Sequence, residues 1–351
     1  MESAIPKGLI CPRTQARRIS DDFVPPYPAW TARSVRDDGV TTMAYLGVQF
    51  HDKNDRAGAL ALLNEIGALL ANESGCSFRD FAHYQDEAGH QNFIAIAYWT
   101  DEQSYRSWHS SPAVTDWWDA KVASPGSFGF FREVLSPTSD RFETLFSASD
   151  QLEGVGKALG MRSEEEIQEH SYWGSMRDRL PCSQADLLEQ SGALRESGRQ
   201  TSGVVKISGH QNVALIRSGQ DWTDTKGMER ALYLDGIEPV FREGMDFLRD
   251  EGINIGCYVN RYMTCVNLDG TPIQKSFGMS YWRSLGDMEA WAEHHPTHLR
   301  IFGTFMETVQ KLEFQLDLRL YHEVSVLRPD QQFYEYLNCH DRTGLVHAAT
   351  R

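Results

Sequence analysis

YWRSLGDMEAWAEHHPTHLRIFGTF, residues 281–305, decides how this chain is read. Tyr281-Trp282 is followed by Trp291, nine positions beyond Trp282, and then by Pro296. An earlier stretch has the same order, with Tyr98-Trp99, Trp108 nine positions beyond Trp99, and Pro112. Each run ends in a similar strand-like segment, FFREV at 130–134 and LYHEV at 320–324. Four matches in one order point to an internal duplication rather than chance recurrence.

Working outward, the first copy reads as a strand at Met43–Phe50, a helix around 55–71, a strand at Asn92–Trp99, a Trp-bearing helix through Tyr105–Trp118 and a strand at Phe128–Leu135. In the second copy, strands are expected at Asn212–Ser218, Cys257–Val266, Ser276–Trp282 and Leu318–Leu327. Helices are expected at Asp235–Glu251 and from Pro296 onward, since Pro suits the first helical turn. Strands and helices in this order predict an α+β fold of duplicated ferredoxin-like units, two sheets packed together. The divisions are an extended arm over 1–40, a first unit over 41–150, a connecting segment over 151–211 and a second unit over 212–351.

The duplication locates the chemistry. Two positions past the proline stands His298 in the second copy but Val114 in the first, and in the last strand His322 corresponds to Arg132. Two histidines thus occur only in the second half, which predicts one site per chain. His298, Phe302, Phe305, Val309 and Leu312 share one helical face, so the imidazole is expected on a buried aromatic surface. An axial haem ligand looks like this, although a core histidine bonded to a carbonyl fits the same pattern and is commoner. His322 alternates with Leu320, Val324 and Val326, as a core group or a general acid/base. Ser218, after the run NVALIR, is a strand-end residue or a hydroxyl that orients substrate. Arg177 and Arg179 could hold an anion or pair with Asp178 or Glu169. Glu143, in RFETLF, is either a buried carboxyl with a raised pKa or a surface partner of Arg141.

Composition excludes other classes. The net charge of −15 argues against nucleic acid or an anionic membrane as partner. The six cysteines are scattered without a CxxC pair and read as reduced thiols of a cytoplasmic protein. No apolar run suits a signal peptide or a membrane span, and no GxSxG, Walker, Rossmann or HExxH signature occurs. His294 and His298 have metal-ligand spacing, but Pro296 between them disturbs the shared face.

Motifs along nearly the whole chain resemble the haem-containing aldoxime dehydratases, the family of the aliphatic aldoxime and phenylacetaldoxime dehydratases. They are MESAI…CPRT at the start, YLGVQF (45–50), GFFRE (129–133), FETL (142–145), YWGSMR (172–177), ALIRSGQDW (214–222), GMDFLRD (244–250), HPTHLRIF (295–302), LYHEVSV (320–326) and NCH (338–340). The resemblance implies a carbon–nitrogen lyase that dehydrates R–CH=N–OH to a nitrile on haem b, ferrous in its active state. It implies that His298 is the axial ligand in a second-half pocket and that the oxime binds iron through nitrogen. His322 is then the distal general acid/base, Ser218 a hydrogen-bond partner of substrate, Arg179 (or Arg177) the distal arginine and Glu143 an acidic residue linked to activity. It also implies a homodimer. A peroxidase-like haem enzyme on a related barrel, a non-catalytic haem-binding or sensing protein, and a cofactor-free barrel are the competing readings.

Overall fold

The computed structural model describes residues 1–34, 38–72 and 74–349. Its strands are β1 (Thr42–Phe50), β2 (Phe78–Gln85), β3 (Gln91–Trp99), β4 (Gly129–Leu135), β5 (Phe142–Phe146), β6 (Arg195–Arg199), β7 (Val204–Ser208), β8 (Val213–Asp221), β9 (Cys257–Val266), β10 (Pro272–Trp282), β11 (Arg319–Leu327) and β12 (Gln332–Leu337). The α-helices are α1 (Arg56–Leu69), α2 (Glu102–His109), α3 (Pro112–Ala123), α4 (Val155–Leu159), α5 (Ser175–Arg179), α6 (Gly227–Leu232), α7 (Glu238–Glu251), α8 (Leu285–His294) and α9 (Pro296–Lys311). No helix among the described residues is long and apolar enough to cross a membrane.

All twelve strands join one curled antiparallel sheet in the order β5-β11-β8-β10-β9-β2-β3-β1-β4-β12-β7-β6. Within it, β11-β8-β10-β9 and β4-β1-β3-β2 follow the same rule: the fourth strand of the run lies beside the first, then the third, then the second. The inner faces of both runs meet in one core that includes Tyr45, Ile96, Tyr98, Met279 and Tyr281. On the outer faces, α1–α3 cover one run through Leu63, Trp108 and Trp118, and α5, α7 and α8 cover the other through Met176, Met245 and Trp291.

A close approach recurs in both runs. Gly47 of β1 lies opposite Phe131 of β4, and Gly219 of β8 lies opposite Tyr321 of β11. A Cβ at either glycine would sit 2.0 Å from that aromatic ring, so only glycine lets the ring lie across the strand.

Several elements differ from the sequence-based expectation. β2, in FRDFAHYQ, was not expected because charge interrupts its alternation. The charge is on the inner face: Asp80 is opposite Ile96 and accepts from Arg217 Nη2 at 2.8 Å. The expected single helix over 105–118 is two, α2 and α3, divided at Ser110-Ser111 before Pro112. The helix expected over Asp235–Glu251 begins earlier, as α6, and passes through a π-turn at Tyr233–Ile237. Segments without expected strands supply β5, β6, β7 and β12; the last three extend the sheet beyond β4. The six cysteines are all unpaired.

Candidate active site

The α8–α9 junction is built by Pro296. It occupies the first position of α9 and has no N–H, so the carbonyl of Ala292, four residues before it, loses the partner that a continuous helix would provide. His298 Nδ1 takes that carbonyl at 2.7 Å. Because a carbonyl only accepts, Nδ1 carries the proton and Nε2 is left with a bare lone pair, the form that binds a metal. Trp291 and Trp173 flank the ring, with centroids 4.6 and 5.6 Å away. Burial lowers the His298 pKa, which keeps the ring neutral.

The helix face beyond His298 is not a sealed core, contrary to expectation. Phe302, one turn on, is 42% exposed, although it packs on Trp173 at 5.1 Å. Val309 is the member of that face that is buried.

Across from α9 lies the outer face of β5-β11-β8. His322 is directly opposite Ser218 on β8 and Leu145 on β5, so all three project to one side of the sheet. Glu143, two residues from Leu145, shares that side and lies opposite Val324. The helix and sheet faces pack at both ends. Trp291 and Ala292 of α8 share one core cluster with Ala214, Val324 and Val326, and Phe305 of α9 and Leu320 of β11 both pack on a second cluster of Tyr233, Ile237 and Leu318. His298 and His322 both keep some accessible surface. Burial, then the charge on Arg179 and the proximity of His298, lower the His322 pKa to about 4.

Arg179, rather than Arg177, belongs to this face. Its Nε and Nη2 donate to the two oxygens of Glu143 at 2.6 and 3.0 Å, and Nη1 donates to the Glu169 carbonyl at 3.0 Å and Ser175 Oγ at 3.1 Å. Both members of the pair are buried. Burial raises the Glu143 pKa, while Arg179 pulls it back. Arg177 is directed away and grips Glu289 through Nε at 3.0 Å and Nη2 at 2.6 Å. The partners considered from sequence are therefore corrected. Arg141 bonds Asn212 and Asp186 instead of Glu143, and Arg177 bonds Glu289 instead of Asp178 or Glu169. His295 caps α9 and stacks on Phe247 at 4.3 Å, so it forms no metal pair with a neighbouring histidine.

Removing Glu143 would leave the Arg179 charge buried and unpaired, a loss of about 3–5 kcal/mol. Glu143→Ala is therefore expected to lower the denaturant midpoint well below that of the parent, and Glu143→Gln to lower it less. An unchanged midpoint in Glu143→Ala would show that the pair contributes nothing to stability.

Sequence reasoning missed Trp173 and the Ala292 carbonyl. Trp173 was visible only as an aromatic within YWGSMR, and the carbonyl could have been inferred from the absent N–H of Pro296. The residues present fit a haem: a neutral imidazole with a bare nitrogen, aromatic walls and a partly exposed apolar helix face.

Comparisons with known proteins agree. The pattern of the haem-containing dehydratase family matches residues 44–345. An aliphatic aldoxime dehydratase of Rhodococcus globerulus is 45% identical over 99% of this chain and 98% of its own. A phenylacetaldoxime dehydratase of Bacillus sp. (strain OxB-1) is 32% identical over 94% of each chain. A crystal structure of an aldoxime dehydratase in complex with butyraldoxime superposes with a TM-score of 0.95 at 44% identity, covering 100% of this chain and 97% of the other. With a neutral histidine suited to haem and a match over nearly its whole length, the chain belongs to the haem-containing dehydratase family.

Proposed function

We propose that this chain is an aldoxime dehydratase, a lyase that converts R–CH=N–OH to R–C≡N and water on haem b held by His298. The bare Nε2 of His298, on a helix close enough to His322 to lower its pKa, with Ser218 directly opposite His322 on the neighbouring strand, is the observation that carries this reading. The substrate class follows from the relatives at 45% and 32% identity. When bound, ferrous haem supplies a centre that takes the oxime through nitrogen and feeds electron density into the N–O bond.

The chain's own residues handle the proton. Dehydration moves one hydrogen from carbon to the departing hydroxyl, so a shuttle that finishes as it began is sufficient. A neutral His322 carries one N–H and one bare nitrogen, so it can donate towards the hydroxyl and accept from carbon. Ser218, its neighbour across the strands, is suited to hydrogen-bond the oxime oxygen. Arg179 has Nε, Nη1 and Nη2 engaged by Glu143, Glu169 and Ser175, so its contribution is its charge, which adds to burial in lowering the His322 pKa. The competing distal arginine, Arg177, is committed to Glu289.

We also read the chain as two ferredoxin-like units, 41–150 and 212–351, preceded by the arm over 1–40 and joined by 151–211. The shared strand order and the Gly47–Phe131 and Gly219–Tyr321 approaches support this. By register, Leu46 and Arg132 correspond to Ser218 and His322. The corresponding space in the first unit is a small cavity lined by Leu46, Val114, Trp117, Trp118 and Arg132, with the Arg132 guanidinium 3.9 Å from the Trp118 ring centre. An aromatic plug and a cation where the second unit has two imidazoles support one haem per chain. Free thiols support a reducing, cytoplasmic setting, and the resemblance supports a homodimer.

An anaerobic assay of dithionite-reduced protein with alkyl and arylalkyl aldoximes, read by nitrile formation, tests the proposal. Because His322 is held near 4, kcat/KM is expected to be flat from about pH 6 to 8 and to fall only as the pH approaches that value. An inflection near about 6.5 would mean that the working histidine is unperturbed. Bound haem without nitrile would favour a sensor, turnover of peroxide alone a peroxidase-like enzyme, and colourless protein a cofactor-free barrel.

A further inference from the structure

We propose a second metal site, built from residues other than those assigned to haem, in which Asp86, His90 and His340 bind one zinc-class divalent ion. Each offers a ligand atom, and the three atoms lie within 4.8 Å of one another. They come from separate parts of the chain. Asp86 and His90 frame the β2–β3 turn, and His340 follows β12. His51, at the end of β1, lies alongside, its ring 4.6 Å from that of His90, and His90 is 4.4 Å from His340. Two imidazoles and a carboxylate suit zinc and its neighbours rather than magnesium or calcium, and three protein ligands leave a fourth position open on the exposed His51 side.

The surroundings are those of a built site. Asp86 Oδ1 is fixed by the amides of Ala88 and His90 at 3.1 and 2.9 Å. Oδ2 accepts from Asn92 at 2.9 Å and Gln49 at 3.2 Å, the kind of outer support that metal-binding carboxylates have. His90 Nδ1 is closed off from solvent and has no hydrogen-bond partner. His340 Nε2 donates to Asp86 Oδ2 at 3.0 Å, so an ion would take the place of that proton between the two atoms. The proton then belongs on Nδ1, and the Arg342 amide, which now donates to Nδ1 at 3.1 Å in an exposed turn, has to move aside. A tetrahedral zinc shell would draw the ligand atoms to about 3.3–3.5 Å apart, which side-chain rotation at this partly exposed site can supply. The bound ion would tie the chain after β12 to the β2–β3 turn.

Tag-free, haem-loaded protein is stripped with chelator, desalted and titrated calorimetrically with zinc chloride. One equivalent per chain is expected to bind with micromolar or tighter affinity and to raise the melting temperature. His90→Ala and His340→Ala are each expected to weaken binding at least about tenfold and to abolish the melting shift. The haem absorption spectrum of each variant reports whether it has folded. An absence of saturable zinc binding in the parent would overturn the proposal, as would equal affinity and stoichiometry in spectrally intact variants.

Discussion

His298→Ala is expected to purify nearly free of haem, with a Soret band reduced by more than about tenfold relative to protein, since the proposed iron ligand is lost. Trp291 and Trp173 would still provide an apolar wall, but shape alone does not replace a bond to iron. Far-UV circular dichroism should be unchanged, because α9 is started by Pro296 and held by Ile301 and Val309 rather than by the imidazole. Exogenous imidazole added to His298→Gly should restore part of the absorption. A full Soret band in His298→Ala would move the ligand elsewhere, with His294 and His295 the candidates. His295 is the poorer of these, being occupied by Thr297 and Phe247.

His322→Ala should behave in the opposite way. Haem content should equal that of the parent, whereas nitrile formation should fall by roughly 10²–10⁴-fold, the usual contribution of a positioned acid/base. The ring lies on a sheet face fixed by β8 on one side and β5 on the other, so its loss leaves a gap without altering the register. Parental turnover in His322→Ala would remove it from the mechanism, whatever the outcome at His298. The two substitutions therefore separate binding of the cofactor from use of it.

The candidate site was legible in proportion to how local its determinants are. His298 stood out because Pro296 marks a helix start and the first copy has Val114 at the matching place. His322 stood out because LYHEV departs from FFREV at one chemically telling position. The partner of Glu143 was not legible. Arg141 is two residues away in sequence, yet the salt bridge is to Arg179, on a short helix that the connecting segment brings over β5. β2 was obscured for a related reason: the inward charge that broke its pattern is neutralised by Arg217, from a strand more than a hundred residues later. The metal cluster at Asp86, His90 and His340 was invisible for the same cause, since NCH and the β2–β3 turn are adjacent only once β12 has joined the sheet beside β4.

By itself the sequence determined the α+β character, two of the three strands that carry Glu143, His322 and Ser218, and the candidate histidines. These depend on periodicity, on proline and glycine chemistry, and on comparison of one half with the other. Tertiary structure decided which arginine meets Glu143, that the Ala292 carbonyl sets the tautomer of His298, and that burial and the Arg179 charge lower the His322 pKa. Those properties arise from desolvation and from charges brought together across the fold, and neither is written in the spacing of residues along a chain.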